Sequence, residues 1–103
     1  MRKIQITQSI GSSKPYSFIV NLGDDNILTV GDNTPFKGNY TFSDDGKNIV
    51  MTILNPESGV SNGPPHSATL YSGAIDGNQY NALGTNTIAP NVFVGITWSA
   101  KEL

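Results

Sequence analysis

Apolar and polar residues alternate with a period of two along most of the chain. Ile4, Ile6 and Ile10 stand against Gln5, Thr7 and Ser9. Tyr16, Phe18, Val20 and Leu22 share one face. Phe36, Gly38, Tyr40 and Phe42 point one way, and Lys37, Asn39 and Thr41 the other. Val92, Val94, Ile96 and Trp98 form the cleanest stripe of all. This alternation is the mark of half-buried antiparallel strands. The stretch from Asn48 to Leu54 differs, with Ile49, Met51 and Ile53 on one face and Val50 and Leu54 on the other. That strand is expected to be covered on both sides or to lie at a subunit contact. No segment carries a 3.6-residue stripe of helical length.

Turn-forming clusters separate the runs: Asp24-Asp25-Asn26, Gly31 to Pro35, Ser43 to Lys47, and Asp76-Gly77-Asn78. Asp45-Gly46 and Asp76-Gly77 supply the positive φ that tight hairpins need. Adding Asn26–Val30, Ser67–Ile75 and Gln79–Leu83 gives eight strands, with two longer connections, Asn55–Pro65 and Gly84–Asn91. The fold class expected is all-β: one domain, residues 1–103, built as a small antiparallel up-and-down β-barrel of about eight strands. Closure would remove the exposed edges. A two-sheet β-sandwich is the alternative. The expected core is Phe18, Val20, Phe36, Tyr40, Ile49, Ile53, Val94, Ile96 and Trp98.

Composition narrows the chemistry. The chain has 103 residues, no cysteine and one histidine, His66. Disulfides, thiolate metal sites and cysteine nucleophiles are excluded, and so is a histidine pair. Six basic residues against eight acidic ones leave a net charge of −2, with the lysines scattered. Such a surface offers no counterion-releasing stripe, so no nucleic-acid partner is expected. No apolar run approaches a membrane span or a secretory leader, so no membrane partner is expected either. The localisation read from this is cytoplasmic, or that of a processed secreted protein.

An enzyme is the least supported class. Ser67 directly follows His66, and neighbours on a strand point to opposite faces, so the two cannot pair as base and nucleophile. The carboxylates at Asp24-Asp25, Asp32 and Asp44-Asp45 all fall in turns, where Asx-turn formation accounts for them. Their spacing fits no EF-hand loop. No catalytic residue, metal ligand or cofactor is assigned. The most unusual local feature is the register of Ser67, Thr69 and Tyr71 on one face of one strand. Buried hydroxyls need partners, so this face looks either to water or into a wet cavity.

At this strand the sequence resembles the avidin–streptavidin family. His66-Ser67-Ala68-Thr69-Leu70-Tyr71-Ser72-Gly73 is similar to the family's sixth-strand segment, in which a Ser and a Thr touch biotin. Asn21-Leu22-Gly23-Asp24 resembles the segment bearing the first-strand Asn and Ser ligands. Gly38-Asn39-Tyr40 is similar to the Gly-x-Tyr that carries the ligand tyrosine. The resemblance implies an eight-stranded barrel with a ligand at one open end, assembled as dimers or tetramers. It adds Tyr40 and Asn21 to Ser67, Thr69 and Tyr71 as ligand-binding candidates. Phe42 and Thr97 depart from the pattern, standing where a ligand serine and the ureido-binding aspartate would be, so the polar cage for biotin is incomplete.

The expectation is a non-catalytic binding module for a small-molecule ligand or a protein partner, with homo-oligomerisation open. Two alternatives are a protease inhibitor acting through an exposed Asn55–Pro65 loop and a carbohydrate-binding sandwich that stacks exposed aromatics on sugars.

Overall fold

A computed structural model describes residues 2–11, 14–32, 34, 36–56, 65–83, 86–89 and 92–103, with side chains for all of these except 10, 55, 56, 65–67, 86–89 and 92–95. The alternating runs become strands, and β8 joins them: β1 (Arg2–Ile10), β2 (Tyr16–Leu22), β3 (Ile27–Val30), β4 (Lys37–Phe42), β5 (Asn48–Pro56), β6 (Pro65–Asp76), β7 (Gln79–Ala82), β8 (Asn86–Ala89) and β9 (Val92–Glu102). One 3-10 turn, Asp24–Asn26, links β2 to β3.

Strands β1 to β6 pair in sequence order, all antiparallel. Both β7 and β8 lie between β6 and β9, so together they make one interrupted stave. β9 then pairs with β1, from Ile4↔Glu102 to Ile10↔Ile96, and closes the ring. The result is an eight-stave up-and-down barrel rather than a sandwich, and β1 and β9 are no longer edges. The connection expected over Gly84–Asn91 is corrected here: part of it is β8. That segment carries little apolar alternation, and its register against β9 shifts between Asn86 and Ile88.

The inner face is apolar. Ile4, Ile6, Val20, Leu28, Met51 and Tyr80 are fully enclosed, with Leu22, Ile49, Ile53, Tyr71, Ile96, Trp98 and Ala100 nearly so. Burying each large side chain contributes about 1.5–3 kcal/mol. Of the expected core, Val20, Ile49, Ile53, Ile96 and Trp98 are buried, whereas Phe18, Phe36 and Tyr40 are only partly so. The reason is position. Phe18 leans on half-exposed Tyr16, with ring centroids 6.0 Å apart. Phe36 lies just before β4, where its carbonyl accepts the last bond from β3 at Val30, and Tyr40 reaches to the carbonyl of Gly23, where the chain leaves β2. The Val94 side chain lies outside the described residues. On the outer face of β5, Val50 is exposed and Leu54 half-buried, so within the chain that strand is covered on one side.

Two glycines let the wall close. A Cβ on Gly38 would stand 1.7 Å from the Thr52 carbonyl oxygen of β5. A Cβ on Gly73 would stand 2.7 Å from the Trp98 ring, so Gly73 makes the space that this indole occupies.

Candidate ligand-binding site

The barrel has chemically different ends. At the end where β1 begins, Arg2 and Glu102 pair at 2.6 Å. The Tyr80 hydroxyl donates to Glu102 Oε1 at 2.6 Å and accepts from Arg2 at 3.1 Å. The Arg2 guanidinium also lies 4.5 Å from the centroid of the Phe42 ring, a cation–π contact. Hydrogen bonds from Arg2 and then Tyr80 hold the Glu102 carboxyl below its ordinary range. Burial, with the bond to Glu102, pushes the Tyr80 hydroxyl up to about 12. Tyr40 sits at this end too, edge-on to Phe42 and hydrogen-bonded to Gly23. These side chains plug the end and satisfy one another.

Toward the other end the inner face turns polar. Gln8 follows Ile4 and Ile6 in the inward register of β1 and is 4% exposed. The Tyr71 hydroxyl of β6 donates across the lumen to Gln8 Oε1 at 2.5 Å. Gln8 Nε2 donates to the Tyr16 hydroxyl at 2.5 Å. Burial raises the Tyr71 hydroxyl well above the ordinary tyrosine range, with Tyr16 adding to the rise and the Gln8 bond opposing it. Tyr71 is therefore a neutral donor at any physiological pH. Its ring meets Trp98 edge-to-face, 5.4 Å between centroids.

Trp98 Nε1 completes the group. It is buried and has no hydrogen-bond partner, alone among the buried side-chain polar atoms of the described residues. Burying an N–H without a partner costs roughly 1–3 kcal/mol by protein mutational measure. Such a group calls for an explanation, and a bound water or ligand is the ordinary one.

The residues singled out from sequence divide three ways. Thr69 and Tyr71 lie on the inner face, opposite buried Ile53 and Met51. The face carrying them therefore looks into the barrel, and the intervening Leu70 is the exposed one. Tyr40 is also inside, but its hydroxyl is directed to the plugged end. Asn21 is turned out of the barrel. It lies between inward Val20 and Leu22, and its amide donates to the Gly31 carbonyl at 3.1 Å and the Thr29 hydroxyl at 3.3 Å, bracing the β2–β3 hairpin. The facing of Asn21 follows from a period of two: in a strand, a side chain between two core residues must point outward. The side chains of Ser67 and His66 lie outside the described residues. The loop expected over Asn55–Pro65 is corrected at its ends, since Asn55 and Pro56 belong to β5 and Pro65 to β6, paired across the ladder; residues 57–64 lie outside the described residues.

Gln8 and the Trp98 N–H are the functional candidates that sequence reasoning missed. A signal existed for Gln8, the one amide in a stripe otherwise made of Ile4, Ile6 and Ile10. None existed for Trp98, whose stripe reads as plain core.

An open groove of about 310 Å³ lies along the β1–β9 seam, lined by Thr7, Gln8, Ser9, Pro15, Thr97, Trp98 and Ser99. Trp98, at 6% exposure, offers no stacking platform there. Among the described residues no group of three or more His, Asp or Glu side chains is placed to hold a metal ion. Set against protein-family models, curated proteins and solved structures, the chain matches none of them.

Proposed function

We propose that this protein is a non-catalytic binding module that takes a small molecule into the barrel lumen, at the end away from the Arg2–Glu102 plug. The observation that carries the reading is the buried, unpartnered Trp98 Nε1 beside the Gln8–Tyr71 pair. A domain this small is only marginally stable, and an orphaned donor is a standing cost. A ligand that accepts its hydrogen bond removes that cost. Apolar walls with a few placed polar groups are the usual make-up of a small-molecule site. Thr69, Tyr71, Gln8 and Trp98 form the site in this reading. The avidin-like segment contributes Thr69 and Tyr71, whereas Asn21 and Tyr40 are directed elsewhere, so recognition of biotin is no part of the proposal.

Thermal-shift screening of a small-molecule library tests it, because a ligand of the folded state raises the midpoint by mass action. Trp98 is the sole tryptophan, so a true lumen ligand must also change the protein's intrinsic emission. Hits that raise the midpoint of the parent and of Gln8→Leu equally would place the site elsewhere.

A further inference from the structure

The same site restricts what the ligand can be. Resting on the reading of the lumen as the binding site, we infer that the ligand is an uncharged molecule that presents a hydrogen-bond acceptor to Trp98 Nε1, and that anions and cations are rejected. An indole N–H only donates, so its partner must accept. The neighbouring Tyr71 and Gln8 have partners: Tyr71 gives its proton to Gln8, and Gln8 gives one of its two amide protons to Tyr16. The buried donor left without a partner is Trp98 Nε1.

Charge is the second constraint. The described side chains placed against this indole are Tyr71, edge-to-face with it, and Gln8, its partner across the β1–β9 ladder, and neither is ionised. The charged pair on the inner face, Arg2 and Glu102, sits at the opposite end and neutralises itself at 2.6 Å. An anion entering here would lose its hydration and gain one neutral N–H in return, which falls far short of the desolvation cost. An ammonium ion fares no better, since it brings donors to a donor and leaves Trp98 unpaired. A neutral amide, lactam, ester or ketone meets both conditions. The fixed edge-to-face packing of Tyr71 on Trp98, with Gly73 beneath the indole, holds the N–H in one direction and sets where the acceptor must lie.

Three probes of one shape test this: cyclohexanecarboxamide, cyclohexanecarboxylate and cyclohexylmethylammonium, each titrated into the full chain at neutral pH with Trp98 emission as readout. The amide is expected to give a saturable change, with affinity at least tenfold above that of either ion. Trp98→Phe, read by thermal shift, is expected to lose most of the amide's stabilising effect. Should that variant fail to fold, the ¹⁵N-indole resonance of the parent provides the same test, since an accepted hydrogen bond moves it. Saturable binding of either ion at equal or greater strength overturns the inference while leaving the lumen as the site. An amide that binds and leaves the indole resonance unmoved also overturns it. No saturable response to any of the three overturns both this inference and the lumen reading beneath it.

Discussion

The Gln8–Tyr71 hydrogen bond ties opposite walls of the barrel together, and its energetics can be worked from its burial. Tyr71 is 2% exposed and Gln8 4%, with oxygens 2.5 Å apart. Gln8→Leu continues the Ile4–Ile6 stripe but strands the Tyr71 hydroxyl in an apolar interior, at a cost of about 1–3 kcal/mol. The lost bond to Tyr16 adds little, because Tyr16 is 48% exposed and water can replace the amide. Tyr71→Phe leaves Gln8 Oε1 without its donor, at a similar cost. The double variant removes both polar groups and faces Leu with Phe, so it should lie close to the parent. Equilibrium urea unfolding of the four proteins measures the cycle. The double variant should be more stable than the summed losses of the two singles predict, by about 2–6 kcal/mol. In thermal melts each kcal/mol corresponds to about 4–8 °C for a domain of this size. Simple additivity, within about 0.5 kcal/mol, would mean the two side chains do not meet and the β1–β6 geometry is wrong.

Gly38→Ala would drive a Cβ to 1.7 Å from the Thr52 carbonyl oxygen. It should cost at least the roughly 1–3 kcal/mol of an overpacked core, and an unchanged melt would contradict the β4–β5 register. Trp98→Ala should cost roughly 3–5 kcal/mol; if urea unfolding showed no loss, the inward facing of β9 would be refuted. Glu102 is held below its ordinary value of 4.5, first by its hydrogen bond to Arg2. Its contribution is therefore complete above that value and disappears as pH falls through the depressed one, and with both partners partly exposed it should stay under about 1 kcal/mol. Glu102→Gln should flatten the acid limb of stability against pH. The Tyr80 hydroxyl is raised from 10.0 to about 12, so its contribution is whole below pH 10 and is lost as pH climbs through 12. A phenolate absorbance titration should show two late-ionising groups, Tyr80 and, later still, Tyr71.

The staves of the barrel were legible because each buries one face, and a period of two survives in any sequence that does so. β8 escaped because a four-residue segment with a shifted register carries no such stripe. The site was only half legible. Thr69 and Tyr71 stood out as polar tips in register, yet a hydroxyl facing water and one facing a lumen look alike along the chain. What separates them is Gln8, 63 residues from Tyr71 and brought opposite it only by the closing of the barrel. The Arg2–Glu102 pair, 100 residues apart, is hidden for the same reason. Asn21 misled in the opposite sense: its burial comes from the neighbouring hairpin and not from the interior.

The most direct measurement is the ¹⁵N-indole resonance of Trp98, a single peak because the chain has one tryptophan. The account predicts that a small molecule which raises the melting midpoint will also move this peak, in the direction of a newly accepted hydrogen bond. A molecule that binds stoichiometrically, stabilises the fold and leaves the peak in place would contradict it.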